Sequence, residues 1–184
     1  RDLRRSRWLG DVYKRQILIS SALYLFLITL RDFFNKEYKN FAQNTAHFGF
    51  SLLILSILFN NLFSSEIITN LKVGEIYENS KTKIVFESIN LKKEKNYKSI
   101  IANFNITSSE GINDNLSPEL RIYNQPNITT SEADIKTTLM RDKFIVINLV
   151  QNQDYFNVRY QVKPFMLWIW SVSYTHLTLP TSYA

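Results

Sequence analysis

The run from residue 41 to residue 63 constrains this chain most, because it contains no Asp, Glu, Lys or Arg. A helix of about 20 predominantly apolar residues crosses a bilayer. One ionisable side chain, His47, lies inside the run. Polar groups at membrane depth are costly and usually serve a function, so His47 is the first candidate functional residue.

Two interpretations of His47 stay open at the level of the residues alone. Asn44, His47 and Ser51 recur at helical spacing and could form a polar seam against a neighbouring helix, with Gly49 permitting close approach. Imidazole is also the commonest protein ligand of metal ions. The spacing therefore fits both a packing role and a ligand role.

The charge distribution argues against a nucleic-acid partner. The formal net charge is +6, but the first sixteen residues hold six cationic and two anionic side chains and contribute most of it. The rest of the chain shows no basic stripe. Cysteine is absent, which excludes disulfides, thiolate metal sites and a C-x-x-C-H haem attachment motif in this chain.

Both ends of the chain differ from its middle. Residues 1–16 and 172–184 resemble translated adapter sequences at the ends of gene fragments, so we expect non-native tails that pack on nothing. His176 lies in the second tail and receives no functional role. The apolar run 17–30 is too short to span a bilayer alone, which suggests that the chain is a fragment.

The remaining segments predict a simple order. Residues 17–40 form a truncated transmembrane helix and a positively charged cytoplasmic loop, and residues 41–63 form a complete transmembrane helix. Residues 64–163 should then form a periplasmic β-domain, and residues 164–171 the start of membrane re-entry. The predicted location is the bacterial inner membrane.

The outer segment shows the alternation of apolar and polar residues that is typical of half-buried strands. The alternating apolar positions are Ile100, Ala102, Phe104 and Ile106, and later Phe156, Val158, Tyr160 and Val162. Residues 84–86 and 144–147 add β-branched runs, and residues 111–115 and 124–127 predict turns. The predicted fold is an α+β membrane protein, with two transmembrane helices followed by a small antiparallel β-domain, barrel or sandwich.

Five short motifs occur in a particular order. They are Ala46-His47-Phe48-Gly49, Lys72-Val73-Gly74-Glu75, the segment 118–123, the segment 130–135, and the segment 158–165 followed by Trp168 and Trp170. In this order and spacing they resemble the C-terminal part of the cytochrome c maturation family CcmF, over residues 17–170. The haem lyase subunit of nitrite reductase assembly is a related alternative.

The resemblance implies a multi-pass membrane haem lyase subunit that helps to attach haem to apocytochrome c, with CcmH-like and CcmE-like proteins as partners. It implies a non-covalently held haem b, with His47 as one of two axial histidine ligands of the iron. The second ligand and a tryptophan-rich loop belong to earlier parts of the family sequence, so this fragment alone is not expected to be active. The alternative is a non-enzymatic, membrane-anchored extracytoplasmic β-domain that acts as an assembly scaffold, with His47 as packing.

Several charged and aromatic residues in the motifs have both structural and functional interpretations. Glu132 and Asp134 could act as an acid/base pair, but a cap or an ion pair with Arg121 or Lys136 is the simpler expectation. Arg121 and Arg159 could bind haem propionates or lie on solvated strand faces. The tryptophans after residue 165 mark either re-entry into the bilayer or a stacking wall for haem.

Overall fold

The computed structural model describes the backbone of residues 2–34, 41–109, 111–150 and 153–178. It describes the side chains of residues 13–14, 16–34, 43–109, 111–150 and 153–174. The chain divides into two compact units, a β unit over Ser64–Lys163 and a helical unit formed by the segments on either side of it. The helical unit is therefore built from two stretches that are distant in sequence.

The helical unit contains α1 (Asp2–Phe34), α2 (Phe41–Phe63) and α3 (Met166–Thr178). Two of its segments, Gln16–Phe34 and Gln43–Phe63, are long and apolar enough to cross a membrane. They confirm the predicted pair of apolar helices, but the first is not the truncated run 17–30 that was expected, because its apolar span continues to Phe34. The predicted loop 31–40 is shorter than expected because α1 continues to Phe34, and residues 35–40 lie outside the described part of the chain.

The expected tail boundaries do not coincide with helix ends. α1 already begins at Asp2, and α3 continues to Thr178. Tyr13 exposes 62% of its surface, as expected of an end that packs on nothing, whereas Val172 is buried, contrary to that expectation. The physical reason is helical periodicity, because Val172 follows Ile169 by one turn and extends the same face. The side chain of Leu177 lies outside the described residues.

The β unit is a sandwich of two antiparallel sheets. Its ten strands are β1 (Ser65–Leu71), β2 (Ile76–Glu78), β3 (Thr82–Lys93), β4 (Tyr97–Ser108), β5 (Asn113–Leu116), β6 (Glu119–Tyr123), β7 (Thr129–Glu132), β8 (Asp134–Thr137), β9 (Arg141–Leu149) and β10 (Phe156–Pro164). One sheet has the order β1-β10-β9-β8 and the other β2-β3-β4-β6-β7, with β5 paired to β4. The predicted β-domain is thus confirmed as a sandwich rather than a barrel.

The alternation along β4 and β10 builds the core of the sandwich. Ala102, Phe104 and Ile106 of β4 are buried, as are Val158 and Tyr160 of β10. Side chains of successive strand residues point to opposite faces, so each strand places one apolar row between the sheets. Each methylene group that is buried there contributes about 0.8 kcal/mol to the free energy of unfolding, so the two rows stabilise the unit.

One predicted turn is partly a strand. Residues 113–115 were expected to lie in a turn, but β5 covers them and pairs with β4 through Asn105↔Asn115 and Thr107↔Asn113. The chain reverses earlier, where the Ser108 amide donates to the Ile112 carbonyl at 3.0 Å. Asn and Asp favour turns, yet strand pairing satisfies the same backbone groups and overrides that preference.

Candidate functional site

His47 lies on α2, on a surface that is turned away from α1. Phe48, the next residue, contacts α1 directly, with its ring 5.6 Å from that of Phe26 and 5.3 Å from that of Phe33. Successive residues of a helix are about 100° apart around its axis. His47 is therefore rotated off the contact and is exposed in this chain.

A polar seam between α1 and α2 does exist, and it includes two of the three predicted residues. The Thr29 hydroxyl hydrogen-bonds the Ser51 hydroxyl at 2.7 Å, and the Ser51 side chain is fully buried. The Asn44 amide donates to the Asp32 carbonyl at 3.1 Å. The packing interpretation thus describes Asn44 and Ser51, whereas His47 is exposed between them.

A second face of α2 contacts the segment that leads into α3. The Asn60 amide donates to the Pro164 carbonyl at 2.7 Å. The ring of Phe59 lies 5.5 Å from the ring of Phe165, which has a left-handed backbone with φ of 60°. The C-terminal half of α2 is therefore in contact with the segment that leads into α3.

The third face of α2 carries His47. Residues on this face recur every three or four positions, which keeps them in one narrow stripe along the helix. The stripe consists of Gln43, His47, Phe50, Ile54, Ile57 and Asn61. Gln43, His47, Phe50, Ile57 and Asn61 are exposed, and Ile54 is half-buried. An ionisable residue between apolar neighbours on an open helix face is placed to meet a ligand or a further helix.

The stripe fits one axial ligand of a haem iron. Neutral imidazole offers one nitrogen lone pair to the iron, and Phe50 and Ile54 supply the apolar surroundings of such a ligand. Within the described residues no group of three or more His, Cys, Asp or Glu side chains could hold a metal ion. The side chain of His176 is not among those described. His47 is the one histidine whose side chain lies within the described part of the chain.

The β unit contains a buried charge cluster that the motifs did not indicate. Asp114 of β5 exposes only 2% of its side chain, and its two oxygens accept from different lysines. Lys143 of β9, which is also buried, approaches one oxygen to 2.5 Å, and Lys136 of β8 approaches the other to 2.7 Å. The cluster therefore joins a strand of one sheet to two strands of the other.

The cluster favours an ionised Asp114. Burial raises the pKa of this carboxyl, but hydrogen bonds from Lys136 and Lys143 lower it more, so that the net pKa lies below its usual value. Burial, assisted by the negative charge of Asp114, raises the pKa of the nearby Tyr160 phenol to about 12. Tyr160 is consequently neutral at physiological pH, and Asp114 is the anion of the cluster.

A sequence signal for this cluster was available in the spacing of β9. Lys143, Ile145 and Ile147 occupy alternate positions and all three are buried. A lysine on the buried row of a strand requires a partner, because an unpaired buried charge is costly. The partner could not be named from the sequence because Asp114 appeared to belong to a turn.

The carboxylates of the segment 130–135 have structural roles. Arg121 lies 2.9 Å from Glu119 and 3.8 Å from Glu132, which confirms the expected ion pair. An oxygen of Asp134 accepts a hydrogen bond from the Ser117 amide at 2.6 Å. Both carboxylates are thus occupied by neighbours within the sandwich and form no acid/base pair there.

Arg159 is likewise engaged at the edge of a sheet. Its guanidinium donates to Glu66 across the β1 and β10 pair, and the Gln161 amide donates to the same carboxylate at 2.5 Å. These hydrogen bonds, Gln161 first, lower the pKa of the Glu66 carboxyl. Trp168 is half-buried and Trp170 exposed on α3, so only Trp170 presents most of its ring at the surface.

Comparisons with known proteins agree with the resemblance. The family described as the CcmF C-terminal beta-sandwich matches residues 62–164, more than half of the chain. Cytochrome c-type biogenesis protein NrfE of Haemophilus influenzae is 22% identical over 156 residues, which cover 84% of this chain and 25% of that protein. Cytochrome c-type biogenesis protein ccl1 of Rhodobacter capsulatus is 45% identical over 56 residues, 30% of this chain and 9% of that protein.

A solved structure shares the fold. Cytochrome c Heme Lyase CcmF superposes with a TM-score of 0.59 at 15% identity, over 83% of this chain and 26% of that one. The chain spans about a quarter of the length of NrfE and of this structure. The match over residues 62–164 coincides with the sandwich and its two junctions to the helices. The chain therefore belongs to the CcmF family, of which it carries the C-terminal β-sandwich.

Proposed function

We propose that this chain is the C-terminal part of a membrane haem lyase of cytochrome c maturation, and that His47 is an axial ligand of a b-type haem. The position of His47 carries the proposal, because its imidazole lies on the one side of α2 that contacts neither α1 nor the start of α3. Family membership supplies the reaction class. Attachment of haem to apocytochrome c is proposed for the whole parent protein, of which this chain is a part.

His47 and its neighbours would have separate tasks. The imidazole of His47 would hold the haem iron through a nitrogen lone pair, and the haem would supply a one-electron redox centre. Phe50 and Ile54 lie one turn and two turns along the same stripe and exclude water from the ligand. The contacts of Phe48 with Phe26 and Phe33 fix the rotation of α2, and they thereby orient His47.

The sandwich is proposed to lie on the periplasmic side of the inner membrane. Arg31, Lys36 and Lys39 precede α2, and positively charged connections remain in the cytoplasm. A helix that starts on the cytoplasmic side delivers residues 64–163 to the other side. There the sandwich would meet apocytochrome c and the CcmH-like and CcmE-like partners that the family resemblance implies.

The purified full-length parent is expected to show the absorption bands of a reduced b-type haem, with a six-coordinate spectrum. Extraction into alkaline pyridine should identify the haem as non-covalently bound haem b. The same spectrum is expected if the parent is the related subunit of nitrite reductase assembly. A parent that purifies well folded but without haem would contradict the proposal and would favour the scaffold interpretation.

Alkaline phosphatase fused after Asn90 is expected to be active, because this enzyme folds only outside the cytoplasm and Asn90 belongs to the sandwich. The matched control is a fusion after Lys36, in the positively charged connection before α2, which should be inactive. Phosphatase activity on colonies and in washed cells reports both. The reverse pattern would place the sandwich in the cytoplasm and would refute the proposed topology.

A further inference from the structure

One end of the sandwich holds both of its connections to the helices. β1 begins two residues after α2 ends, and β10 ends two residues before α3 begins. The two strands are paired antiparallel, with Ser65 opposite Val162. We call this the entry end of the sandwich, and it is defined by Ser65, Val162 and Lys163.

The turn between β8 and β9 lies at the entry end. β9 and β10 are neighbours joined by six residues, which is too short for a parallel crossover, so the two strands are antiparallel. Arg141, at the start of β9, therefore lies near the end of β10. The Lys163 ammonium is 5.2 Å from the centre of the Phe144 ring, which confirms the direction. Thr137 pairs with Asp142, so residues 138–141 close the hairpin at this end.

This turn is ordered and presents two apolar side chains. The Thr138 amide donates to the Arg141 carbonyl at 3.0 Å, and the Thr138 hydroxyl donates to the same carbonyl at 2.6 Å. Leu139 and Met140 occupy the two corner positions and expose 58% and 54% of their surface. Hairpin corners normally carry Gly, Asn or Asp, so an exposed Leu-Met pair at this corner is unusual and offers an apolar surface to a partner phase.

Cations surround the two apolar side chains. Leu139 and Met140 line an open cleft of about 330 Å³, whose other lining residues are Ile112, Asp114, Lys136, Thr138, Arg141 and Lys143. Lys163 lies at the same end of the sheet. Exposed apolar side chains with lysine and arginine beside them are typical of surfaces that enter the headgroup region of an anionic bilayer.

We propose that the turn of residues 138–141 is an interfacial anchor, which inserts Leu139 and Met140 among the headgroups of an anionic bilayer. The inference rests on the proposed membrane insertion of α1 and α2, because a connection of one residue joins the entry end to α2 and another joins it to α3. Arg141 then contacts lipid phosphates while Lys136 keeps its ion pair with Asp114, and the turn fixes the sandwich against the membrane surface. The opposite end of the sandwich stays in water.

The chain has no cysteine, so single labelling sites can be introduced without removing any residue first. The test places an environment-sensitive fluorophore on Leu139→Cys in nanodiscs of phosphatidylcholine and phosphatidylglycerol that contain brominated lipid. The matched control is Leu91→Cys, because Leu91 exposes 80% of its surface. Leu91 lies on β3, nine residues from Thr82, and is therefore about 30 Å towards the end of the sandwich opposite the entry end. Leu27→Cys, exposed on α1, reports whether the helices are inserted.

We expect Leu27 to be quenched strongly and Leu139 to be quenched several-fold more than Leu91, with a blue shift of its emission. Adding Met140→Glu to the Leu139 variant should abolish most of that difference while the β-sheet circular dichroism stays unchanged. Strong quenching at Leu27 with equal quenching at Leu139 and Leu91 would overturn the anchor and leave the inserted helices intact. Absence of quenching at Leu27 would overturn the membrane insertion, and the anchor with it.

Discussion

Replacing His47 by alanine in the full-length parent is expected to remove the six-coordinate b-type spectrum and to lower the yield of holocytochrome c severely. If His47 is a haem ligand as proposed, alanine removes the nitrogen that holds the iron and leaves an apolar gap that cannot substitute for it. The imidazole makes no contribution to the seam with α1, so the polypeptide should still accumulate. Absorption spectra of equal amounts of purified protein measure the loss.

Ser51→Ala is the matched control, because Ser51 lies one turn from His47 but hydrogen-bonds Thr29. A hydrogen bond between helices in a membrane contributes about 0.6 kcal/mol on average, so the haem spectrum should be retained. A general folding defect would reduce the protein level of both variants. If His47→Ala accumulates normally with an unchanged six-coordinate spectrum, His47 is not a ligand.

The second large effect is expected in the sandwich, where Asp114→Ala should lower the free energy of unfolding by about 3–5 kcal/mol, since it leaves Lys143 buried without a counter-charge. Urea unfolding of the detergent-solubilised chain, followed by β-sheet circular dichroism, measures this free energy. Glu132→Ala is the control, and its exposed ion pair with Arg121 at 3.8 Å should contribute less than about 1 kcal/mol.

A double variant separates the lost ion pair from lost packing. Combining Asp114→Leu with Lys143→Met replaces both charges by apolar groups, so most of the stability should return. The effect of Asp114→Ala should also depend on pH. The pKa of Asp114 is lowered on folding, so its contribution is complete above the unfolded value of about 3.9 and is lost as the pH falls through the lower folded value.

Stability curves of wild type and Asp114→Ala should therefore converge in strong acid and remain apart at neutral pH. Equal unfolding free energies for Asp114→Ala and Glu132→Ala at neutral pH would show that the cluster does not stabilise the sandwich. In that case the buried lysine would have to lose its proton or reach water when its partner is removed.

The sequence predicts those elements whose apolar residues recur regularly because one side of the element faces the core. The rows of β4 and β10 face the core, so their alternation alone indicated strands. The pairing order of the sheets depends on contacts between distant residues, which no local pattern contains. Asp114 shows the limit, since its turn-like neighbours concealed a strand position that only pairing with β4 reveals.

The same limit applies to the candidate site. The sequence identified His47 by its chemistry, because an imidazole in an uncharged apolar run is conspicuous. It could not say which side of α2 is covered, since His47 and Asn44 are only about 60° apart around the helix. The rings of Phe26 and Phe33 on Phe48 decide the rotation, and these contacts connect residues of different helices.

The pairing of Ser65 with Val162 means that the sandwich begins and ends on two neighbouring strands. A module of one hundred residues whose first and last strands are neighbours interrupts the helical segments at a single point, so its loss or exchange would not lengthen the path between α2 and α3. The sandwich can therefore change in sequence or length without changing the path of the helix that carries His47. Deleting the sandwich and joining its flanks by a short linker would allow the helical unit and the sandwich to be studied separately.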